Sequence, residues 1–266
     1  MAGTPPPTSS ATPDARLYRR LIDWDRRLAR EGPSLLSLLA VEPGSRLLDL
    51  GCGSGEHDRF LAGRGAHVIG VDRSEDMLRA AREAAAGDGR LRYVEADIAA
   101  LPDAVAGRFD GALCLGNTLV HLLDLEQVRG FFRGVGTRLR DGGRLLLQIL
   151  NYEAIVAEKR RAFPPALQPG DDGEELAFLR FLDHREPGFV EFESVVLARR
   201  DDADTRLVMA RRSRLRAWTR AELVAIAEAE VGATAAYGTI EGEPFDPRHS
   251  PDLVLVARAE RSRAGD

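Results

Sequence analysis

The chain has 266 residues, 44% of them hydrophobic and 30% charged, an ordinary globular composition with room for one large α/β domain and an insertion. Its formal net charge is −5, so it lacks the basic surplus with which proteins neutralise nucleic-acid phosphates. No apolar run reaches the length of a bilayer span, and neither nucleic acid nor a membrane is an expected partner.

The first segment, MAGTPPPTSSATPD, has no apolar core of the kind a secretory signal needs, and its Pro, Ser and Thr content predicts a disordered tail over residues 1–13. Leu17, Leu21, Trp24 and Leu28 recur at spacings of four, three and four, the stripe of an amphipathic helix. Pro33 is expected to end it, with a second short helix through Leu35–Ala40, so that residues 14–45 form N-terminal helices. From Arg46 to Leu150 short apolar runs (RLLDL, HVIGVD, LRYVEA, FDGALCL, GRLLLQIL) alternate with helical periods near 57–64, 75–86 and 126–140. That rhythm predicts a parallel sheet with helices on both faces.

After Asn151 the rhythm changes. A Pro-rich loop from Phe163 to Pro169 leads into three apolar–charged runs separated by Glu186-Pro187-Gly188 and by Asp201–Asp204, which predicts an antiparallel insertion over 151–216. The core resumes at Thr219, an N-cap with Glu222 in the capping-box position, and TAAYGTI and DLVLVARA complete the sheet within 217–260. Cys52 and Cys114 have no metal-ligand spacing to each other or to the five histidines, so no metal site and a reduced, cytoplasmic setting are expected. Lys159 is the only lysine, which we read as compositional bias.

The chemistry concentrates in Leu47-Leu48-Asp49-Leu50-Gly51-Cys52-Gly53-Ser54-Gly55. A buried strand delivers Asp49 and then a glycine-rich turn opening a helix, where bare backbone and unpaired N–H groups can receive a ligand. Asp72 ends the next strand, 21 positions after Gly51, where dinucleotide-type sites hold a ribose diol. It could instead cap the following helix, but Ser74 fills that role. Asp97, after LRYVEA, ends the third strand, where its carboxylate could accept from an adenine amine or face water. A nicotinamide fingerprint is disfavoured, because its third glycine falls where Glu56 stands.

LLDLGCGSG, VIGVDRSEDML, VEADIAAL and RDGGRLLLQI, in that order, resemble the class I S-adenosylmethionine-dependent methyltransferases from Arg46 to Ala259. The resemblance implies a Rossmann-like α/β fold: a seven-stranded sheet, last strand antiparallel, with S-adenosyl-L-methionine across the carboxyl ends of strands one to four and S-adenosyl-L-homocysteine as product. It implies cofactor contacts from Asp49, Gly51, Cys52, Gly53 and Gly55, from Asp72, Arg73 and Met77, and from Asp97 and Ile98. Leu115-Gly116-Asn117-Thr118-Leu119-Val120-His121-Leu122 and Asn151-Tyr152 are similar to segments of the glycine/sarcosine N-methyltransferase group. By that likeness Leu115 touches the cofactor through its backbone, Asn117 faces the substrate, and His121 borders the methionine moiety and is the candidate base. Arg27 matches an arginine that grips the cofactor carboxylate, and Tyr18 and Trp24 line the entrance.

One departure bears on the substrate. The glycine-methylating enzymes carry an arginine just before the Asn-Tyr pair, and Leu150 stands there instead, so an amino acid clamped in that way is not expected. The insertion offers Arg180, Arg185, Arg214 and Arg216, most of them read as solvated strand faces. The [Asn/Asp]-Pro-Pro-[Tyr/Phe] run of base-amino and glutamine-amide methyltransferases is replaced by LGNT. The expected function is methyl transfer to a small-molecule N or O nucleophile; a macromolecular methyltransferase and a non-catalytic cofactor-binding module are the alternatives. The insertion is expected either to cover the acceptor as a lid or to pair with a second copy of the chain.

Overall fold

The computed structural model describes residues 15–170, 173–200 and 203–260. The tail expected over 1–13 lies outside them. The predicted alternation produces β1 (Arg46–Leu50), β2 (His67–Asp72), β3 (Leu91–Glu95), β4 (Phe109–Cys114) and β5 (Leu139–Leu150), with α3 (Glu56–Ala62), α4 (Glu75–Ala85) and α5 (Leu125–Gly136) between them. Later in the chain come α6 (Tyr152–Ala157), α7 (Arg220–Glu230), β10 (Thr234–Tyr237) and β11 (Asp252–Arg258). The main sheet has seven strands in the order β10-β11-β5-β4-β1-β2-β3, and the last strand, β11, runs antiparallel between β5 and β10. The order reverses next to β1: the chain steps outward from β1 through β2 to β3, then returns to place β4 on the other side of β1. Such a reversal opens a crevice at the carboxyl ends of the strands, which is where open α/β sheets bind ligands.

Each face of the sheet is covered because both faces of its strands are apolar. Val128, Phe131, Phe132 and Val135 of α5 and Leu223 and Ile226 of α7 bury one face; Leu35 and Leu39 with Leu61 of α3 bury the other. Thr219 caps α7 with Glu222 completing the reciprocal box, as its spacing predicts.

Several expectations need correction. The N-terminal break falls at residues 21–23, between α1 (Ala15–Arg20) and α2 (Trp24–Leu38), and Pro33 lies inside α2. Asp23 is the physical reason: its carboxylate accepts from Arg26 N at 3.0 Å and starts a new helix, whereas Pro33 lies exposed on the outer face. The helix expected to 140 ends at Gly136, because Leu139 already pairs with Phe109 in the sheet. The third strand ends at Glu95, leaving Asp97 two positions beyond it. The Pro-rich loop contains a strand, β6 (Ala166–Pro169), so the antiparallel insertion has four strands and not three: β6, β7 (Glu175–Asp183), β8 (Phe189–Arg200) and β9 (Ala203–Arg216). Pro169 is tolerated because β6 is an edge strand.

The insertion's buried residues pack in two places. Leu182, Val190 and Leu215 join the core beneath α5 and α7, while Leu176, Val196 and Ala198 pack around Leu21 at the α1–α2 junction. The N-terminal helices and the four-stranded sheet thus meet over the crevice.

Candidate active site

The turn after β1 is built from left-handed backbone: φ is +84° at Gly51, +55° at Gly53 and +74° at Gly55. A Cβ at Gly51 would lie 2.4 Å from Thr118 Cγ2, and one at Gly55 2.4 Å from the Tyr93 hydroxyl. At Gly53 the nearest atom would be Tyr18 at 3.9 Å, so bare backbone there faces open space. Asp72 ties the turn to the next helix: its Oδ2 accepts from Gly53 N and its Oδ1 from Ser74 N, each at 2.9 Å. Ser74 caps α4, as anticipated, accepting from Met77 N at 3.4 Å.

These elements enclose a cavity of ≈ 260 Å³ whose wall includes Gly51, Gly53, Asp72, Arg73, Met77, Asp97 and Ile98. Asp97 is held in the wall by Ala99 N, which donates to its Oδ1 at 2.8 Å. A second cavity of ≈ 680 Å³ lies between α2, the carboxyl end of β5 and one face of the insertion sheet, with Arg27 and Asn117 in its wall. Tyr18, His121 and Arg211 line both cavities and mark where they meet.

Asp49, Cys52, Gly55, Leu115 and Trp24 do not line either cavity. Asp49 is 3% exposed and lies under the turn beside buried Asp58; burial and repulsion by Asp58 push its carboxyl well up. Burial likewise raises Asp58 to about 6. The Cys52 thiol points down toward Gly70 and packs with Leu78, Ala81 and Tyr93. Leu115 is buried against α2, and its carbonyl is taken by the Thr118 hydroxyl at 2.7 Å. Trp24 stands edge-on to His57 with ring centroids 5.5 Å apart, and the Arg27 guanidinium stacks over its ring at 5.1 Å.

Arg27 belongs to a buried charge cluster. Glu31, 5% exposed, accepts from Arg27 Nε at 3.0 Å, Arg30 Nη2 at 3.0 Å and His57 Nε2 at 3.1 Å. Burial alone would raise the Glu31 carboxyl; the His57 and Arg27 hydrogen bonds hold it down at about 2. Asn117 takes the left-handed conformation (φ +67°) and spends its amide on the frame: Nδ2 donates to the Tyr152 hydroxyl at 2.9 Å and Oδ1 accepts from Leu150 N at 3.1 Å. Asn151 caps α6 and donates to three carbonyls of the 246–250 loop, so the Asn-Tyr pair here is a structural brace. His121 is pushed down to about 4 by burial, with Arg73 and Arg211 adding repulsion, and is neutral above that pH.

Among the insertion's arginines, Arg185, Arg214 and Arg216 are paired to Asp183, Glu186 and Glu222 respectively, as solvated or rim positions. Arg180 faces the second cavity. Sequence reasoning missed Thr118, Gln148 and Arg211. Gln148 was detectable as a lone polar residue inside an apolar strand; it ties Gly116 N (2.9 Å) to Asp252 Oδ1 (2.9 Å) across the mouth of the sheet. Among the described residues no cluster of His, Cys, Asp and Glu could hold a metal, and no helix is long and apolar enough to cross a membrane.

A family model described as a methyltransferase domain matches residues 47–143. The glycine/sarcosine N-methyltransferase of Parasynechococcus marenigrum is 35% identical over 140 residues, covering 52% of this chain and 50% of that protein. The chain therefore spans about half the length of the curated relatives it matches. Over most of its length it superposes on the CcbJ methyltransferase of Streptomyces caelestis, with 27% identity and a TM-score of 0.67, covering 88% of this chain and 90% of that one. CalS10 of Micromonospora echinaspora, an amino pentose methyltransferase solved with S-adenosylmethionine bound, shares the fold at 23% identity and a TM-score of 0.69, covering 92% and 95%. Over residues 47–143 the chain matches a methyltransferase domain, and in fold it is similar to S-adenosylmethionine-dependent methyltransferases along most of its length.

Proposed function

We propose that the chain binds S-adenosylmethionine in the smaller cavity and directs methyl transfer to an N or O nucleophile of a small molecule held in the larger one. The observation that carries this reading is the meeting of the two cavities at Tyr18, His121 and Arg211, one walled by the glycine turn with Asp72 and the other by the insertion sheet. The residues present suit the group. Gly53 offers bare backbone toward open space, Asp72 offers a carboxylate where a ribose diol needs acceptors, and Asp97 beside Ile98 offers an acceptor and an apolar surface for adenine. Together the cavities fall in the range of small-ligand sites, roughly 300–1,000 Å³.

When bound, the sulfonium supplies a methyl group that is already activated, so the protein's part is alignment and exclusion of water. Tyr18 and the insertion sheet cover the junction of the cavities. Asn117, fixed at both ends of its amide, positions the backbone beside it and takes no proton. His121, held down at about 4 by burial, is neutral near neutral pH, which supports a role as a neutral hydrogen-bonding group. An amine acceptor would therefore arrive already neutral. Enclosure beneath the insertion favours a small acceptor over RNA or protein. Calorimetric titration should give S-adenosylhomocysteine a Kd in the micromolar range with no response to NAD or NADP, and methyl transfer should appear against a panel of small amines and hydroxyl compounds. Tight NAD binding without a response to S-adenosylhomocysteine would reverse the reading.

A further inference from the structure

The cavity-facing side of the insertion sheet holds two cations whose counter-charge the chain does not supply. Register pairs Arg180 of β7 with Ser194 of β8, and Ser194 with Arg211 of β9, so the three side chains form one row on one face. With strands spaced about 4.8 Å apart, the two arginine backbones stand about 10 Å from each other with the serine between them. The rows on either side are mainly apolar: Phe178, Val196 and Met209 on one, Leu182, Phe192 and Ser213 on the other. On the opposite face, Arg212 and Arg214 are paired to Glu193 and Glu186.

Arg180 and Arg211 form no ion pair among the described residues, and the Nε of each is buried without a hydrogen-bond partner. Arg180 packs over Phe163 (4.9 Å) and Phe178 (5.4 Å), and its one side-chain hydrogen bond among the described residues, to the Pro164 carbonyl, is long at 3.4 Å. The cavity's carboxylates are engaged elsewhere: Asp23 caps α2, Glu31 holds Arg27 and His57, Glu241 lies near Arg30, and Asp252 accepts from Gln148. Partly buried cations on an apolar face are costly unless something neutralises them. We propose that an oxyanion of the methyl acceptor, a carboxylate or a phosphate ester, seats between Arg180 and Arg211 with the Ser194 hydroxyl donating to it. The assignment rests on the methyl-transfer reading for its purpose: the anionic end anchors on the insertion sheet and the nucleophilic end reaches the junction at His121. Leu150 lines the same cavity at the end of β5, and the sheet arginines approach from a different wall.

The test is calorimetric titration of acetate, inorganic phosphate and pyrophosphate into the protein at fixed ionic strength, with and without S-adenosylhomocysteine. Wild type should bind at least one anion saturably, and preference for acetate or for the phosphates names the acceptor's charged group. R180Q and R211Q should each weaken that anion tenfold or more, while S-adenosylhomocysteine affinity stays within twofold in R180Q, whose side chain lines only the larger cavity. Because each variant deletes an uncompensated charge, its melting temperature in anion-free buffer should hold or rise. R180K and R211K, which keep the charge and lose the planar fork, should fall between. No saturable anion binding by wild type, anion affinity unchanged in R180Q and R211Q, or a loss of S-adenosylhomocysteine affinity in R180Q would each overturn the assignment. Failure of S-adenosylhomocysteine to bind wild type would count against the methyl-transfer reading, while the titrations without it still decide the anion site.

Discussion

Replacing Asp72 with alanine should separate two jobs that one carboxylate performs. Its oxygens accept from Gly53 N and Ser74 N at 2.9 Å each while the group faces the cavity. The substitution deletes the proposed ribose acceptor, and hydrogen bonds to a charged group are worth about 1.5–3 kcal/mol, so S-adenosylhomocysteine affinity should fall roughly 10- to 150-fold. It also strands two partly buried N–H groups that water can reach, a cost of about 1–2 kcal/mol, or roughly 2–8 °C in Tm for a protein of this size. Asp72→Asn should be nearly as damaging, because its amide puts a donor against one of two backbone donors. Titration calorimetry measures the first effect and a thermal melt the second. Wild-type affinity in D72A, with a lowered Tm alone, would mean that Asp72 is only a turn brace.

His121→Gln should lower turnover without changing the shape of the pH–rate profile above pH 5, since His121 titrates at about 4; a profile inflection near 6.5 that vanishes in the variant would contradict this placement. Glu31 sits below its unfolded value, so its stabilisation is present above about pH 5 and lost as pH falls toward 2; by linkage it amounts to about 2–3 kcal/mol, which Glu31→Gln should remove at pH 7 and not at pH 2. Asp58 has the opposite sign: its folded value of about 6 lies above the unfolded one, so the protonated form stabilises the fold at low pH and the benefit fades as pH rises. Asp58→Asn should therefore raise Tm at pH 8 and do so less at pH 4, and a variant destabilised equally at both would refute the buried acid pair. Gly51→Ala adds a Cβ within 2.4 Å of Thr118 at φ +84° and should lower stability by about 1–3 kcal/mol in a denaturant melt, whereas a neutral result would mean the turn is not held as described.

The main sheet was legible because its strands are short continuous apolar runs bounded by glycine turns, and Gly51, Gly53, Asp72 and Asp97, picked out at or beyond strand ends, all line the smaller cavity. Legibility failed where a local residue outweighed the pattern: Asp23 started a helix inside a clean Leu17–Leu28 stripe, and Pro33 was tolerated on an exposed face. Cys52 and Leu115 sit inside strong motifs, and the structure adds what their side chains do: both pack into the core, and neither residue lines a cavity. Arg211 could not be distinguished from Arg212 and Arg214 until strand register showed which face each occupies. Leu182, Val190 and Leu215 belong to the main core, so excising the insertion would expose apolar surface as well as remove one wall of the larger cavity.

The most direct measurement is a crystal structure of the protein grown with S-adenosylhomocysteine. The ribose should lie within hydrogen-bonding distance of the Asp72 carboxylate, adenine between Asp97 and Ile98, and the sulfur at the junction of the two cavities near Tyr18 and His121. Density for the ligand in the larger cavity alone, or a smaller cavity that stays empty at saturating ligand, would contradict it.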